Sequence, residues 1–204
     1  MTDGRPVDED KRATLRRFAV LGAATPLTKL VDDREPGDEP DVRGAIAGYL
    51  AATPGAHFSK IRDDLQLGTG EAQHHLRRLR KAGAVESHRD GDYRRYFPAG
   101  RFSGFEKVAL GYLRRETPRG MLVELLADPD ATAGELADRL DVSRPTVSTY
   151  AGELEEAGLL AREDGYEPRR PETVLVLAVR YADSFDERTA RLADEADGLV
   201  GYDP

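Results

Sequence analysis

Leu65-Gln-Leu-Gly-Thr-Gly-Glu-Ala-Gln-His-His-Leu-Arg-Arg-Leu-Arg-Lys-Ala-Gly-Ala-Val85 has a counterpart further along the chain, Leu140-Asp-Val-Ser-Arg-Pro-Thr-Val-Ser-Thr-Tyr-Ala-Gly-Glu-Leu-Glu-Glu-Ala-Gly-Leu-Leu160. Each stretch predicts a short helix, a tight turn, a second helix, a glycine that ends it, and an extended segment. This order is typical of a helix-turn-helix followed by a β-hairpin wing, in which the second helix lies in a DNA groove.

The two stretches share their apolar positions and their helix ends. Each apolar pair fits the inner side of a helix, and each Ala-Gly pair fits the end of one. The aligned positions are Leu65 with Leu140, Ala72 with Val147, Leu79 with Leu154, and Ala82-Gly83 with Ala157-Gly158.

We therefore predict a mainly α fold with small β-hairpin wings, built from tandem winged helix-turn-helix domains joined by a connecting helix, plus N- and C-terminal helices. The predicted divisions are an N-terminal helix and acidic linker (1–40), the first winged-helix domain (41–100), the connecting helix (101–117), the second winged-helix domain (118–180) and a C-terminal helix (181–204).

Local patterns set the ends of several elements. Asp41 is a predicted cap for the first domain's first helix, and Asp90-Gly91 predicts the tight turn of the first wing. Thr132-Ala-Gly-Glu135 is a predicted capping box. Further predictions are a helix cap at Thr117-Pro118, a second recognition helix from about Ser143, and second-wing strands at Leu159–Ala161 and Val174–Val179.

The N-terminal helix has two interpretations. Arg16-Arg17-Phe18 before a short apolar run resembles a twin-arginine export motif, which would indicate an exported or membrane-tethered protein. The residues that precede Arg16-Arg17 are acidic, however, and Pro26 and Lys29 interrupt the apolar run. These features favour a helix that packs on the protein or mediates dimerisation.

The C-terminal helix carries an apolar stripe. Its members recur at alternating spacings of four and three residues: Phe185, Thr189, Leu192, Ala196 and Leu199. This spacing predicts a two-helix seam, formed within one chain or between two chains of a homodimer.

Charge is unevenly distributed along this chain of net charge −8. Residues 41–100 carry ten Lys and Arg against seven Asp and Glu, whereas residues 101–204 carry 13 against 22. The first domain is therefore the basic one, and local charge matters more than the net charge when the partner is a polyanion.

Both stretches resemble archaeal winged helix-turn-helix transcriptional regulators of the broad MarR/ArsR-like kind. The first resemblance covers about residues 56–98 and includes Leu-Gly-x-Gly, His-Leu-Arg-x-Leu and Arg-Asp-Gly-x-Tyr-Arg-Arg-Tyr-Phe-Pro. The second covers about residues 131–179 and includes Glu-Leu-Ala-x-Arg-Leu, Val-Ser-Arg-Pro-Thr-Val-Ser and Leu-Glu-x-Ala-Gly-Leu-Leu. The Asp-rich, Lys-poor, cysteine-free composition also resembles that of proteins from salt-adapted archaea.

The first domain supplies most of the candidate contacts to double-stranded DNA. Gln can bind adenine through two hydrogen bonds and Glu can accept one from cytosine, while Arg and Lys suit phosphates. The candidates are Thr69, Glu71, Gln73, His74, Arg77, Arg78 and Lys81 on the helix, with Arg89, Arg94 and Arg95 on the wing. The alternative is a solvated basic surface.

The second domain is a less clear DNA-binding candidate. Glu153, Glu155 and Glu156 follow its polar positions directly, and carboxylates repel phosphates. The competing interpretation is a tandem winged-helix adaptor that binds proteins without specific DNA binding. The candidate DNA contacts are Ser143, Arg144, Thr146, Ser148, Thr149 and Arg162.

Other classes of function lack a pattern in the sequence. There is no cysteine, and the neighbouring His74 and His75 point to different sides of a helix, so we predict no metal site. Nucleotide-binding and catalytic motifs are absent, which predicts a protein that is not an enzyme and has no catalytic residue or cofactor. We expect a cytoplasmic protein without a membrane span and with no evident small-molecule effector.

Overall fold

The computed structural model describes the backbone of residues 7–23 and 42–199 and the side chains of residues 11–19 and 42–196. The chain divides into two compact units, Met1–Ser103 and Gly104–Pro204. It is mostly helical with small antiparallel hairpins, which confirms the predicted fold class. The predicted acidic linker, the Asp41 cap and residues 200–204 of the predicted C-terminal helix lie outside the described residues.

Unit 1 combines helices with a small antiparallel sheet of strand order β1-β3-β2. Its elements are α1 (Val7–Ala23), α2 (Val42–Ala52), β1 (Ala56–His57), α3 (Phe58–Asp64), α4 (Thr69–Lys81), β2 (Val85–Asp90) and β3 (Tyr93–Pro98). The hairpin β2–β3 turns at the predicted Asp90-Gly91, where Gly91 has a φ of 56°. Glycine reaches this left-handed region without steric cost.

The core of unit 1 joins its helices to the sheet. Ile46, Tyr49 and Ile61 are buried in it together with Leu15 of α1. Phe18 of α1 packs edge-on against Tyr49, with ring centroids 5.2 Å apart. The N-terminal helix therefore has the packing role that was one of the two predicted for it.

The turn between α3 and α4 is tight. Gln66 takes the left-handed conformation, with a φ of 53°, and the Leu67 amide donates to the Arg62 carbonyl over 2.8 Å. The second helix then begins at Thr69, because Gly68 occupies the cap position. Thr69 and Gly70 thus belong to α4.

Unit 2 repeats the order of helix, turn, helix and hairpin. Its elements are α5 (Gly104–Leu113), α6 (Glu116–Ala127), α7 (Ala133–Leu140), α8 (Arg144–Glu156), β4 (Leu160–Ala161), β5 (Glu167–Pro168), α9 (Pro171–Arg180), a 3-10 helix (Ala182–Ser184) and α10 (Glu187–Leu199). The predicted capping box from Thr132 to Glu135 is present, and Ser143 caps α8.

Two predictions about unit 2 are wrong. Val174–Val179 forms most of α9 instead of a wing strand: Pro171 lies in the first turn, and Val174, Leu177 and Ala178 are buried at helical spacing. The predicted cap at Thr117-Pro118 lies inside α6, whose cap is Arg115.

Three members of the C-terminal stripe are buried within unit 2. Thr189, Leu192 and Ala196 are each under 5% exposed, and α10 packs on α6 and α9. Asp186 precedes α10 and accepts hydrogen bonds from Arg119 of α6, at 2.7 and 3.0 Å, and from the Thr189 amide and hydroxyl. This stripe forms an intrachain seam, one of the two predicted alternatives.

Candidate nucleic-acid interface

Helix α4 has one apolar face and one polar face. Ala72, Leu76 and Leu79 are buried in the core of unit 1, and their spacing turns the remaining positions outward. The predicted contacts that this leaves exposed are Thr69, Gln73, His74, Arg77, Arg78 and Lys81. The same face also carries the exposed Arg80. The helix therefore presents a cationic surface whose N-terminal end offers amide and imidazole groups.

Glu71 occupies a different position from that predicted for a base contact. Its Oε2 atom accepts from the Gly68 amide at 3.1 Å and from Lys11 Nζ at 3.2 Å, and only 34% of its side chain is exposed. The carboxylate thus closes the first turn of α4 and links it to α1. The Glu71 carboxylate is thus engaged within the protein and is not part of the proposed base contacts.

The wing brings two arginines together. Arg89 and Arg94 are directly opposite each other in the β2–β3 register, and both are exposed. Arg89 Nε donates to the Gly91 carbonyl at 3.3 Å, and among the described side chains neither guanidinium forms an ion pair. Like charges placed opposite each other destabilise a sheet, so this pair favours an anion as its counter-charge.

Arg95 is buried, in contrast to its neighbour. It is 3% exposed, forms an ion pair with Asp90 and donates to the Gly55 carbonyl at 3.1 Å. Its guanidinium ties the hairpin to the loop after α2 and is closed off from a ligand. Both Arg94 and Arg95 were predicted to contact DNA, because the sequence alone does not show which face of β3 each side chain occupies.

His57 connects the wing to α3. It caps α3, and its Nδ1 atom accepts from the Lys60 amide at 3.3 Å. Burial and then the nearby Arg95 and Lys60 charges lower the pKa of His57 below its usual value. The neutral form is the one that can accept this hydrogen bond.

The adjacent histidines of α4 have different surroundings. His74 is exposed and His75 is partly buried, with their rings nearly perpendicular and 5.2 Å between centroids. Burial lowers the pKa of His75, with the His74 charge as the next cause. In the part of the chain that the structure describes, no cluster of His, Asp or Glu is arranged to hold a metal ion.

The polar residues of α8 are largely engaged in local hydrogen bonds. Ser143 Oγ accepts from the Thr146 amide at 3.2 Å and lies 2.8 Å from its hydroxyl, while Thr149 donates to the Pro145 carbonyl at 2.9 Å. Ser148 is exposed. These bonds define the first turns of the helix and reduce what α8 offers to bases.

The cations of the second hairpin lie beside carboxylates. Arg162 is 3.5 Å from Glu155, and Arg169 is 3.9 Å from Glu163. Arg144 is exposed, with its guanidinium so close to α7 that a Cβ added to Gly134 would lie 2.9 Å from it. The predicted contacts of the second stretch therefore form a less cationic surface than those of the first.

Unit 2 also contains an open cavity of about 580 Å³ that the sequence did not predict. Phe105 of α5 forms one wall, and Arg170 lies over its ring at 4.8 Å. Arg169, Glu155 and Glu163 line the rest with Leu160, so the walls mix both charges with apolar surface. The residues come from separated parts of the chain, which explains why no local pattern indicated them.

Two further residues escaped the sequence prediction. Lys11 pairs with Glu71 although they are far apart in the chain, and Tyr93 at the wing tip is 52% exposed. The flanking arginines could have drawn attention to Tyr93, whereas no local pattern indicates the Lys11 contact.

None of the described helices has the length and apolarity needed to cross a membrane.

Comparison with known proteins finds two matches to helix-turn-helix families along the chain. Residues 40–110 match the family model of an N-terminal HTH domain, and residues 117–171 match that of the MarR family. An uncharacterized HTH-type transcriptional regulator of Methanocaldococcus jannaschii is 29% identical over 126 residues, which are 61% of this chain and 32% of that protein. The chain thus spans about a third of that relative's length. Among solved structures, none matches the chain significantly.

Proposed function

We propose that the protein is a sequence-specific DNA-binding transcriptional regulator, and that unit 1 is its principal DNA-binding unit. The observation that carries this proposal is the set of exposed Arg and Lys side chains on α4 and on the β2–β3 wing, which form no ion pair with the described side chains. The matches to HTH families and to an archaeal HTH-type regulator support the same class. Phosphate neutralisation by such a surface supplies much of the affinity of a DNA-binding protein.

In the proposed complex, α4 lies in the major groove. Gln73 and His74 near its N-terminal end contact base edges, where an amide can form two hydrogen bonds to adenine. Arg77, Arg78 and Lys81 lie further along and bind phosphates. Thr69 at the start of the helix adds a hydroxyl contact to the backbone.

The wing extends this interface. Arg89 and Arg94 bind the backbone beside the groove that α4 occupies, and the mutual repulsion of the two guanidinium groups is relieved by the phosphate. Arg95 and Glu71 contribute indirectly, because the first fixes the hairpin and the second fixes the start of α4. Unit 2, or a second protomer, occupies a neighbouring site about one helical turn away.

A second candidate function applies to unit 2. The carboxylates beside Arg162 and Arg169, together with exposed Glu156, favour a protein partner over phosphates at this surface. The chain would then act as an adaptor. Under this alternative, charge reversal in unit 1 leaves capture of the partner unchanged.

The proposal extends to the assembly of the protein and to the salt concentration in which it works. The two units form a tandem of winged helices, the Asp-rich surface suits an archaeal cytosol of high salt, and two chains form a homodimer by a surface other than the buried α10 stripe. Light scattering at a series of KCl concentrations tests the dimer, and thermal melting at the same concentrations tests the adaptation to salt. A monomer at every concentration would contradict the dimer, and stability independent of salt would contradict the adaptation.

Paired charge reversals test the central function. Arg89→Glu/Arg94→Glu in the wing of unit 1 is compared with the matched control Arg162→Glu/Arg169→Glu in the hairpin of unit 2. Binding to labelled duplex DNA is measured by fluorescence anisotropy at salt concentrations where circular dichroism shows folded protein. We expect the first variant to lose most of its affinity and the second to keep most of it. Equal retention of affinity by both variants would contradict the proposal.

A further inference from the structure

Tyr93 is an exposed aromatic residue at the tip of the first wing. It is 52% exposed, and Val176 on α9 is the other exposed large apolar side chain among the described residues. A single exposed aromatic or apolar side chain is normal on a protein surface, so its role has to be argued from its surroundings.

The Tyr93 ring is held in place without being buried. The His57 ring lies 5.3 Å away between centroids, and the Arg95 guanidinium carbon lies 5.6 Å from the ring centre. Both neighbours are fixed themselves, His57 as the cap of α3 and Arg95 in its ion pair with Asp90. A ring positioned in advance loses little conformational freedom when it binds a ligand.

The β-sheet register places this ring beside the two wing cations. Tyr93 is paired with Asp90, and the next pair along the hairpin is Arg89 with Arg94. Successive side chains of a strand point to opposite faces, so Tyr93 and Arg94 occupy the two sides of the same tip. The tip therefore has a cationic side and an aromatic side.

Building on the proposed function, we propose that Tyr93 is a DNA-contact residue whose ring packs against a deoxyribose of the duplex while Arg89 and Arg94 bind the phosphates. A deoxyribose presents C–H groups to its surroundings, which an aromatic ring can cover with apolar contact. The contact carries no charge, so it adds affinity without releasing counterions. It is also independent of sequence, since every nucleotide has the same sugar.

The absence of charge gives this contact a signature in salt titrations. Each lost phosphate contact lowers the slope of log affinity against log salt concentration by about 0.9. The loss of an uncharged contact lowers the affinity by the same factor at every salt concentration and leaves the slope unchanged. Tyr93 and the wing arginines should therefore affect the titration in different ways.

The test uses the full chain and a labelled duplex of mixed sequence. Tyr93→Ala is compared with Tyr93→Phe, which retains the ring, and with the control Val176→Ala, which removes the exposed apolar side chain of unit 2. We expect Tyr93→Ala to bind about tenfold more weakly at every salt concentration, Tyr93→Phe to stay within about twofold of the wild type, and Val176→Ala to be unchanged. Thermal melting confirms that each variant is folded, and Tyr93→Gln, which is larger but polar, replaces the alanine variant if that variant melts early.

Two results would overturn this inference. One is wild-type affinity in Tyr93→Ala or in its glutamine substitute, and the other is a slope of log affinity against log salt concentration that Tyr93→Ala reduces as much as Arg94→Ala does. Arg77→Glu/Arg78→Glu on α4 separates this failure from that of the proposed function. If the α4 variant loses binding and Tyr93→Ala does not, the Tyr93 contact alone is wrong; if the wild type itself does not bind duplex DNA, the proposed function is wrong.

Discussion

Asp90 and Arg95 form an ion pair inside the first wing, with 11% and 3% of their side chains exposed. The pair joins the end of β2 to β3 across the turn, and Arg95 also holds the Gly55 carbonyl. The neighbouring Arg94 points outward on the other face of the strand. One strand thus supplies a cation that supports the wing and a cation that is available to a ligand.

Removal of Asp90 should destabilise unit 1. Asp90→Ala leaves the buried Arg95 guanidinium without its counter-charge, and breaking such a pair costs about 3 kcal/mol of unfolding free energy. Urea denaturation followed by circular dichroism measures the loss. The control is Arg94→Ala, whose exposed side chain should change stability by less than about 0.5 kcal/mol. Equal stabilities for the two variants would show that the Asp90–Arg95 pair does not support the wing.

Changes on α4 should separate specificity from affinity. Gln73→Ala removes a proposed base contact, so it should relax the preference at one base pair by about 1–3 kcal/mol. Lys81→Ala removes a proposed phosphate contact and should weaken binding to all sequences alike. Competition binding with a set of single-base variants of the preferred site measures both effects. Uniform weakening by Gln73→Ala would contradict its role as a base contact.

Unit 1 should lose stability in mild acid because of His57. Its pKa in the folded state lies below the usual value of about 6.5, since burial and Arg95 oppose its charge. The unfolded chain therefore takes up the proton first, and the stabilisation present above about pH 6.5 is lost as the pH falls through the lower, folded pKa. His57→Asn retains a capping acceptor without a charge change and should reduce this loss.

The partly buried His75 must be considered in the same experiment, because its pKa is also lowered. The double variant His57→Asn/His75→Gln should show a weaker pH dependence than either single variant between about pH 5 and pH 7. Denaturation at a series of pH values provides the comparison. An unchanged pH dependence in the double variant would contradict the assignment.

Asp186 should stabilise the attachment of α10 at neutral pH. Burial alone would raise the pKa of Asp186, but hydrogen bonds from Arg119 and Thr189 outweigh it and hold the pKa below its usual value. Its contribution is therefore present above about pH 4 and is lost as the pH falls through the folded pKa. Asp186→Asn should unfold more easily at pH 7 and differ less from the wild type at low pH. A difference that stays constant across this range would contradict the account.

The sequence was sufficient to predict most of the fold. Repeated apolar spacing located both helix-turn-helix pairs, and Thr132, Ser143 and Gly91 lie at caps and turns as expected, because these features depend on neighbours in the chain. The error at Val174–Val179 has a physical basis. An apolar run of that length is compatible with a strand or a helix. Here the segment is helical, because Pro171 lies in the first turn of α9 and the apolar side chains are buried at helical spacing in unit 2.

The candidate site was less predictable, because it depends on contacts between distant residues. The charges of α4 and the wing are visible in the sequence, whereas the burial of Arg95 depends on Gly55 and the engagement of Glu71 depends on Lys11. Tyr93 became a candidate only once its neighbours His57 and Arg95 were known in space. Residue type indicated the chemistry, and the fold decided which side chains are free to perform it.

The most direct test of the central claim is selection of binding sites from a random pool of duplex DNA by the purified full chain. The account predicts enrichment of a defined motif, which Gln73→Ala alters at one position and Arg77→Glu/Arg78→Glu abolishes. Val176→Ala, in unit 2, should select the same motif as the wild type. Failure of the folded wild-type protein to enrich any sequence, or enrichment unaffected by the α4 variants, would contradict the claim that unit 1 reads DNA through α4.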